Sequence, residues 1–169
     1  GGDATNYTLD NTTASATGNI TAATISAITG ITASSRVYDA TTSATLNTGS
    51  AAFAGRIGSD VLAVGGGTGA FADKNVGTGK TVSITGLTLG GADAADYSLA
   101  SNTASTTADI TPATISAISG ITASNHVYDA TTAATLNLGA AAFTGLIGSD
   151  VLTVATSTGA FADKNVGVG

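Results

Sequence analysis

Residues 1–79 align with residues 91–169 without a gap, and 55 of the 79 paired positions are identical. The chain is therefore a single 90-residue pattern read almost twice. A period of this size without insertion or deletion implies a fixed supersecondary unit copied in tandem, a design that serves reach and spacing more often than chemistry. Each unit is just large enough to bury its own core.

Alanine, threonine and glycine make up about half of the chain, while Glu, Gln, Met, Cys and Trp are absent. Of the strong helix formers only Ala is abundant. It sits among Thr, Ser, Val and Ile in short runs broken by Gly, which predicts an all-β fold. The eleven acidic residues are all Asp and outnumber five basic ones, for a net charge of −6. Arg36, Arg56, Lys74, Lys80 and Lys164 are scattered and form no stripe able to follow a phosphate backbone, so nucleic acid is not an expected partner. No apolar run reaches the ~20 residues a membrane-spanning helix requires, so this segment is not expected to insert. The absence of cysteine removes disulfides, thiol nucleophiles and thiolate metal sites together.

The clearest strand signal runs from Thr81 to Leu89. Val82 and Ile84 share one face, and a parity switch at Gly86 brings Leu87 and Leu89 into phase. A short Gly- and Ala-rich loop follows, then Tyr97-Ser-Leu99. This arrangement predicts a tyrosine corner of the immunoglobulin-like kind at Tyr97 and, one period earlier, at Tyr7, with a buried ring and a hydroxyl bonded back to upstream backbone. The only proline, Pro112, lies between Ile110 and Ile115, which differ in parity. Proline cannot donate to a central ladder, so a module junction is expected there. Turn signals 8–12 residues apart predict about seven antiparallel strands per unit, in tandem immunoglobulin-like or fibronectin-III-like sandwiches. Asn75 and Asn165, each before Val-Gly, are candidates for a left-handed turn residue. On this frame residues 1–22 are the closing strands of a preceding module, 23–112 a complete module, and 113–169 a module lacking its last strands.

The repeated Val37-Tyr-Asp-Ala-Thr-Thr42 and Val127-Tyr-Asp-Ala-Thr-Thr132, with Phe71-Ala-Asp-Lys-Asn-Val-Gly77 and its copy at 161–167, resemble the YDG-type repeats of large secreted bacterial surface proteins, the filamentous-haemagglutinin-like adhesins. Lys80 to Leu87, Ala92 to Leu99 and Asp109 to Ala113 are similar to that family as well, so the resemblance covers essentially the whole chain. It implies a secreted, cell-surface, fibrous or adhesive parent and no catalytic residues. Tyr38, Asp39, Tyr128 and Asp129 form the YD motif. Ala40 and Ala130 stand where the family's glycine would be, which argues against a positive φ there.

Few constellations carry chemistry. The single histidine, His126, aligns with Arg36 and cannot be a repeated catalytic element. Asp39, Asp129, Asp93 and Asp96 are the candidate ligands for a calcium ion stiffening a module junction, although their spacing is not that of an EF-hand. Lys74 and Lys164, each between Asp and Asn, raise a Lys–Asn isopeptide staple, which would require a buried lysine in an apolar setting. The expected function is a non-enzymatic stalk or spacer and interaction scaffold whose partners are neighbouring repeats. One alternative is a self-assembling filament subunit, in which residues 1–22 of one chain complete residues 113–169 of the next by head-to-tail strand pairing. A second is a carbohydrate-binding module, disfavoured because the four Tyr and four Phe are expected in the core.

Overall fold

A computed structural model describes residues 2–167; Gly1, Val168 and Gly169, at the outer limits of the two expected partial modules, lie outside the described residues. Among the described residues the fold is all-β apart from two 3-10 turns, Ala4–Asn6 and Ala94–Asp96. The first unit comprises β1 (Ala23–Ile25), β2 (Ala27–Thr29), β3 (Thr32–Ala33), β4 (Arg36–Val37), β5 (Ser43–Ala44), β6 (Leu46–Asn47), β7 (Ala52–Ala54), β8 (Ala63–Phe71), β9 (Gly77–Gly90), β10 (Tyr97–Leu99) and β11 (Ala104–Thr111). The number of ladder segments exceeds the expected seven because Gly, Ser and Asn interrupt the opening strands every few residues. The second unit carries β12 (Ala117–Ser119), β13 (Thr122–Ala123), β14 (Ala133–Ala134), β15 (Leu136–Asn137), β16 (Ala142–Thr144) and β17 (Gly159–Ala160).

The long β8–β9 hairpin organises the first unit. It sits in a five-stranded sheet of order β4-β11-β9-β8-β5, with β11 antiparallel to β9. Val82 and Ile84 of β9 are fully buried on one face, as their alternation predicts. Gly86 takes φ 69 and Leu87 returns to the core at 2% exposure, so the parity switch is a glycine-centred irregularity opposite the register shift between Gly66 and Thr68. Three small ladders, β1-β10, β2-β7 and β3-β6, complete the unit. Two cores result. One joins Ile25, Ile28 and Ile31 to Ile84, Leu87 and Tyr97; the other joins Ala44, Phe71, Val82, Ala108 and Ile110.

An entirely antiparallel arrangement was expected, and two pairings depart from it. Strand β10 runs parallel to β1, and β11 parallel to β4. The closing strands return from the far end of the unit and lie alongside its opening strands in the same direction, a pairing no hairpin could produce.

In the second unit the residues corresponding to this core are uncovered. Ile118 is 51% and Ile121 37% exposed, against 6% for both Ile28 and Ile31. Their covering strands in the first unit are β9 and β10, and no equivalent of either lies over them among the described residues. At the other end Tyr7, Leu9 and Ile20 are exposed, although their equivalents Tyr97 and Ile110 are buried and Leu99 is half-buried. The expectation of core aromatics therefore holds for Phe71 and Tyr97 and fails for Tyr7 and Tyr128, which have no covering layer.

Candidate interaction site: tyrosine–aspartate contacts

Tyr97 enters β10 directly after the Ala94–Asp96 turn, which aims its ring into the first core at 8% exposure. Its hydroxyl donates to Asp60 Oδ2 at 2.6 Å and accepts from the Ile57 amide at 2.9 Å. The partner is thus the Ile57–Asp60 turn of the Gly-Ser-Asp segment, some 40 residues upstream, and not the adjoining corner. The Asp60 carboxylate, and after it burial, hold the Tyr97 hydroxyl above the ordinary tyrosine pKa. Asp93, in the loop before Tyr97, accepts the Val61 amide at 2.6 Å and ties the same turn down a second time.

The YD motif forms a compact loop. Asp39 Oδ1 accepts the Thr41 amide at 2.9 Å and the Thr41 hydroxyl at 2.8 Å, while Oδ2 pairs with the Arg36 guanidinium at 2.5 Å. Arg36 also donates to the Thr41 carbonyl and lies over the Phe71 ring, 5.2 Å from its centroid. Bonds from the Thr41 backbone and hydroxyl, then Arg36, hold the Asp39 carboxyl below the usual aspartate range. Between these anchors Ala40 has φ 64, and Ala130 has φ 63 in the copy. The expectation that alanine rules out a positive φ is therefore overturned, because the side-chain-to-backbone turn imposes the left-handed conformation on whichever residue stands there. Asn75, by contrast, is not left-handed. The Asp73 carboxylate captures its amide at 2.7 Å, and the positive φ falls at Gly79.

In the second copy Asp129 makes the same two bonds to Thr131, at 2.9 and 2.8 Å. His126 replaces Arg36; it stands 3.5 Å from Asp129 and stacks on Phe161 with centroids 5.0 Å apart. Both copies thus keep a side chain over the phenylalanine and beside the YD aspartate. The Arg36–His126 alignment was the available signal for this role, but the covering phenylalanine lies 35 residues away in sequence.

The Tyr38 ring packs against the second core of its own unit, and its hydroxyl reaches out of that unit. The hydroxyl donates to Asp150 Oδ2 of the second unit at 2.7 Å. Lys74 Nζ lies 3.5 Å from Asp150 Oδ1 and 5.9 Å from the Tyr38 ring centroid. Tyr38 and then Asp150 hold the Lys74 ammonium above the usual lysine range. Lys74 is about half exposed and ion-paired, which is not the buried setting an isopeptide bond requires. Pro112 follows β11 immediately and lines the cleft beside these groups with Val76, Ala113 and Ile147. Tyr128 is 56% and Tyr7 81% exposed.

The expected calcium ligands are not brought together: Asp39 and Asp129 close separate YD loops, and Asp93 caps the Val61 amide. Among the described residues no three Asp or His side chains converge as a metal site. Of the groups that do converge with tyrosines, Asp60 and Asp150 are legible in sequence only as the repeated aspartate of Gly-Ser-Asp, and Lys74 only as the lysine between Asp73 and Asn75.

The sequence profile of the YDG domain matches residues 21–106 and again 111–169. The chain belongs to the YDG domain family. The two matches meet within the Thr107–Ile110 stretch of β11, so each YDG domain begins close to Pro112 or its counterpart Ala22. No curated protein and no solved structure matches the chain. In both YDG domains the motif's aspartate shapes the loop through its own Thr, while in the first domain the motif's tyrosine faces the second.

Proposed function

We propose that these YDG domains are structural repeats of a secreted bacterial surface adhesin or fibre, acting as a stalk or spacer that holds a binding region away from the cell. One observation carries this reading. Every ladder pairing of β1–β11 closes within residues 23–111 and every pairing of β12–β17 within 117–160, so the sequence period coincides with self-paired units placed in series. Such an array lengthens by one unit per copy without altering the others. The packing of small opening ladders against the β8–β9–β11 sheet around one core supports a two-layered, immunoglobulin-like sandwich as the repeating element. No catalytic residue is assigned to it.

Small-angle scattering on the chain and on versions with one and two added 90-residue units tests the spacer role. The maximum dimension should grow by about 30–40 Å per unit, the diameter of a ~100-residue domain. A compact particle whose dimension barely grows would refute it. Antibodies against the chain should also label intact cells that make the parent protein.

A second reading, head-to-tail assembly, is favoured by the exposure of Tyr7 (81%), Leu9 (78%) and Ile20 (102%). The turn before Tyr7 already has the geometry of its counterpart before Tyr97, with Tyr7 at φ −131, ψ 148 and Tyr97 at φ −127, ψ 150. Residues 1–22 of one copy would then pair beside Ala113–Ile115 and His126–Val127 of the next, as β10 and β11 pair beside β1 and β4. Sedimentation velocity that stays monomeric to millimolar concentration would exclude this assembly and leave the spacer reading intact.

A further inference from the structure

The ring of the motif tyrosine packs on its own core, but its hydroxyl takes no part in its own loop. Asp39, Thr41 and Arg36 close that loop through one another, and the Tyr38 hydroxyl's bond goes to the other unit. We infer that Tyr38, Lys74 and Asp150 form an inter-domain latch, in which the YD tyrosine of one repeat docks on the Gly-Ser-Asp carboxylate of the next and fixes the angle between them.

Three observations converge on this joint. The first is the geometry: Asp150 accepts from Tyr38 at 2.7 Å, with Lys74 at 3.5 Å from its other oxygen. A carboxylate has lone pairs for both donors, and the ammonium offsets its charge where Asp150 is only 29% exposed. The second is the lining of the cleft beside the polar group. Val76 of the first unit and Pro112, Ala113, Ile147 and Leu152 of the second line a cleft of roughly 290 Å³, at whose edge the Tyr38–Asp150 bond is itself part-buried. The third is the pattern of divergence between the copies. Among the residues that the second unit contributes to this cleft, Pro112 and Leu146 replace the Ala22 and Arg56 of the first copy, and both changes remove either freedom or charge at the joint.

The rule is periodic. Tyr38 reaches forward 112 positions, and Tyr128 and Lys164 stand one period after Tyr38 and Lys74. The same carboxylate position also serves its own domain, since Asp60 accepts the Tyr97 hydroxyl. The Gly-Ser-Asp turn thus takes one tyrosine in each unit, on the same carboxylate oxygen: its own domain's at Asp60 and its predecessor's at Asp150. A rod built this way resists bending at each joint without a metal ion or a covalent bond. The latch does not depend on where such an array acts, so its failure and the failure of the surface-stalk reading are distinguishable.

The chain has no native cysteine, so two spin labels can be placed without background, at Ser83→Cys in exposed β9 and Thr135→Cys in the second unit. Pulsed dipolar spectroscopy should give one narrow distance distribution for the otherwise unaltered chain. Tyr38→Phe removes only the hydroxyl, and Asp150→Asn only the charge. Loss of a hydrogen bond to a charged partner should shift the closed-to-open equilibrium by about tenfold and broaden the distribution visibly. Tyr128→Phe, with no partner across this joint, should leave it narrow. Amide exchange in β9 reports whether the first unit remains folded in each variant. A broad distribution in the unaltered chain, no change in Tyr38→Phe, or equal broadening in Tyr128→Phe would each overturn the latch.

Discussion

Replacing Ala40 with glycine should stabilise the first unit, although glycine ordinarily weakens a folded chain. Ala40 has φ 64, enforced on one side by the Asp39–Thr41 turn and on the other by Arg36. A left-handed alanine costs roughly 1–2 kcal/mol in the folded state, because its Cβ approaches the following carbonyl. Glycine removes that strain and returns about 0.4–1 kcal/mol through the greater freedom of the unfolded chain. The net expectation for Ala40→Gly is about 0.5–1 kcal/mol of added stability, or about 3–6 °C in the melting temperature of a unit of this size. The matched control is Ala54→Gly, at an exposed strand position without positive φ, which should lose about 0.5–1 kcal/mol. Urea titration monitored by amide exchange of Val82 and Ile84, both fully buried in the first unit, separates this unit from the second. If Ala40→Gly lowers stability as much as Ala54→Gly does, residue 40 is not left-handed in solution. The account of the YD loop then fails with it.

Gly30→Ala should be far more damaging, since a Cβ at Gly30 would lie 2.3 Å from the Ser50 carbonyl oxygen at φ 74; strain and overpacking together predict a loss of about 2–5 kcal/mol by urea unfolding. Tyr97→Phe leaves Asp60 and the Ile57 amide without their partner and should cost about 1–3 kcal/mol in the same assay. The raised Tyr97 pKa means that the protonated hydroxyl's contribution is complete below the ordinary value of 10.0 and is lost as pH rises through the folded value, so alkaline unfolding should steepen above that point and be blunted in Tyr97→Phe. Asp39, Asp73 and Asp129 have lowered values, so their contributions are complete above 3.8 and vanish as pH falls through the folded values; Asp39→Asn should flatten the acid limb of a pH–stability profile. A chelator should leave the melting curve of the chain unchanged, because Asp39, Asp93 and Asp129 already spend carboxylate oxygens on Thr41, Val61 and Thr131.

What could be read from sequence was whatever is encoded over a few adjacent residues. The Thr81–Leu89 alternation and its break at Gly86 are local, and the strand, its buried face and its positive φ follow from them. The turn that leads into Tyr97 is equally local, but the burial of its ring is not, since the same turn before Tyr7 leaves that ring 81% exposed. The identity of the Tyr97 acceptor was not legible, because Asp60 lies 37 residues away in a segment with no periodicity. The parallel pairings of β1 with β10 and of β4 with β11 escaped for the same reason: they are made by strands of two to eight residues drawn from opposite ends of the unit. Ala40 shows a different limit. Residue type predicted its φ wrongly because the aspartate before it and the threonine after it form a turn whose requirement outweighs alanine's preference.

The differences between the copies are more informative about assembly than their identity. Gly65-Gly66-Gly67 of β8 becomes Ala155-Thr156-Ser157. In the first unit a Cβ at Gly65 would lie 2.9 Å from the Leu89 carbonyl oxygen, and one at Gly67 2.9 Å from a Leu87 methyl. The glycines therefore let β8 cross β9 at the irregularity where Leu87 enters the core. A second unit with side chains at those positions cannot repeat that crossing unchanged. The turn just upstream, by contrast, keeps Ile147-Gly-Ser-Asp150 identical to Ile57-Gly-Ser-Asp60. Divergence is thus admitted where two strands of one unit meet. Identity is kept at the turn whose carboxylate takes a tyrosine, from its own unit at Asp60 and from its neighbour at Asp150. Identity is kept equally at the core positions, where Ile115, Ile118, Ile121, Ala134 and Phe161 match Ile25, Ile28, Ile31, Ala44 and Phe71, so the pair is constrained by its core and by this turn together.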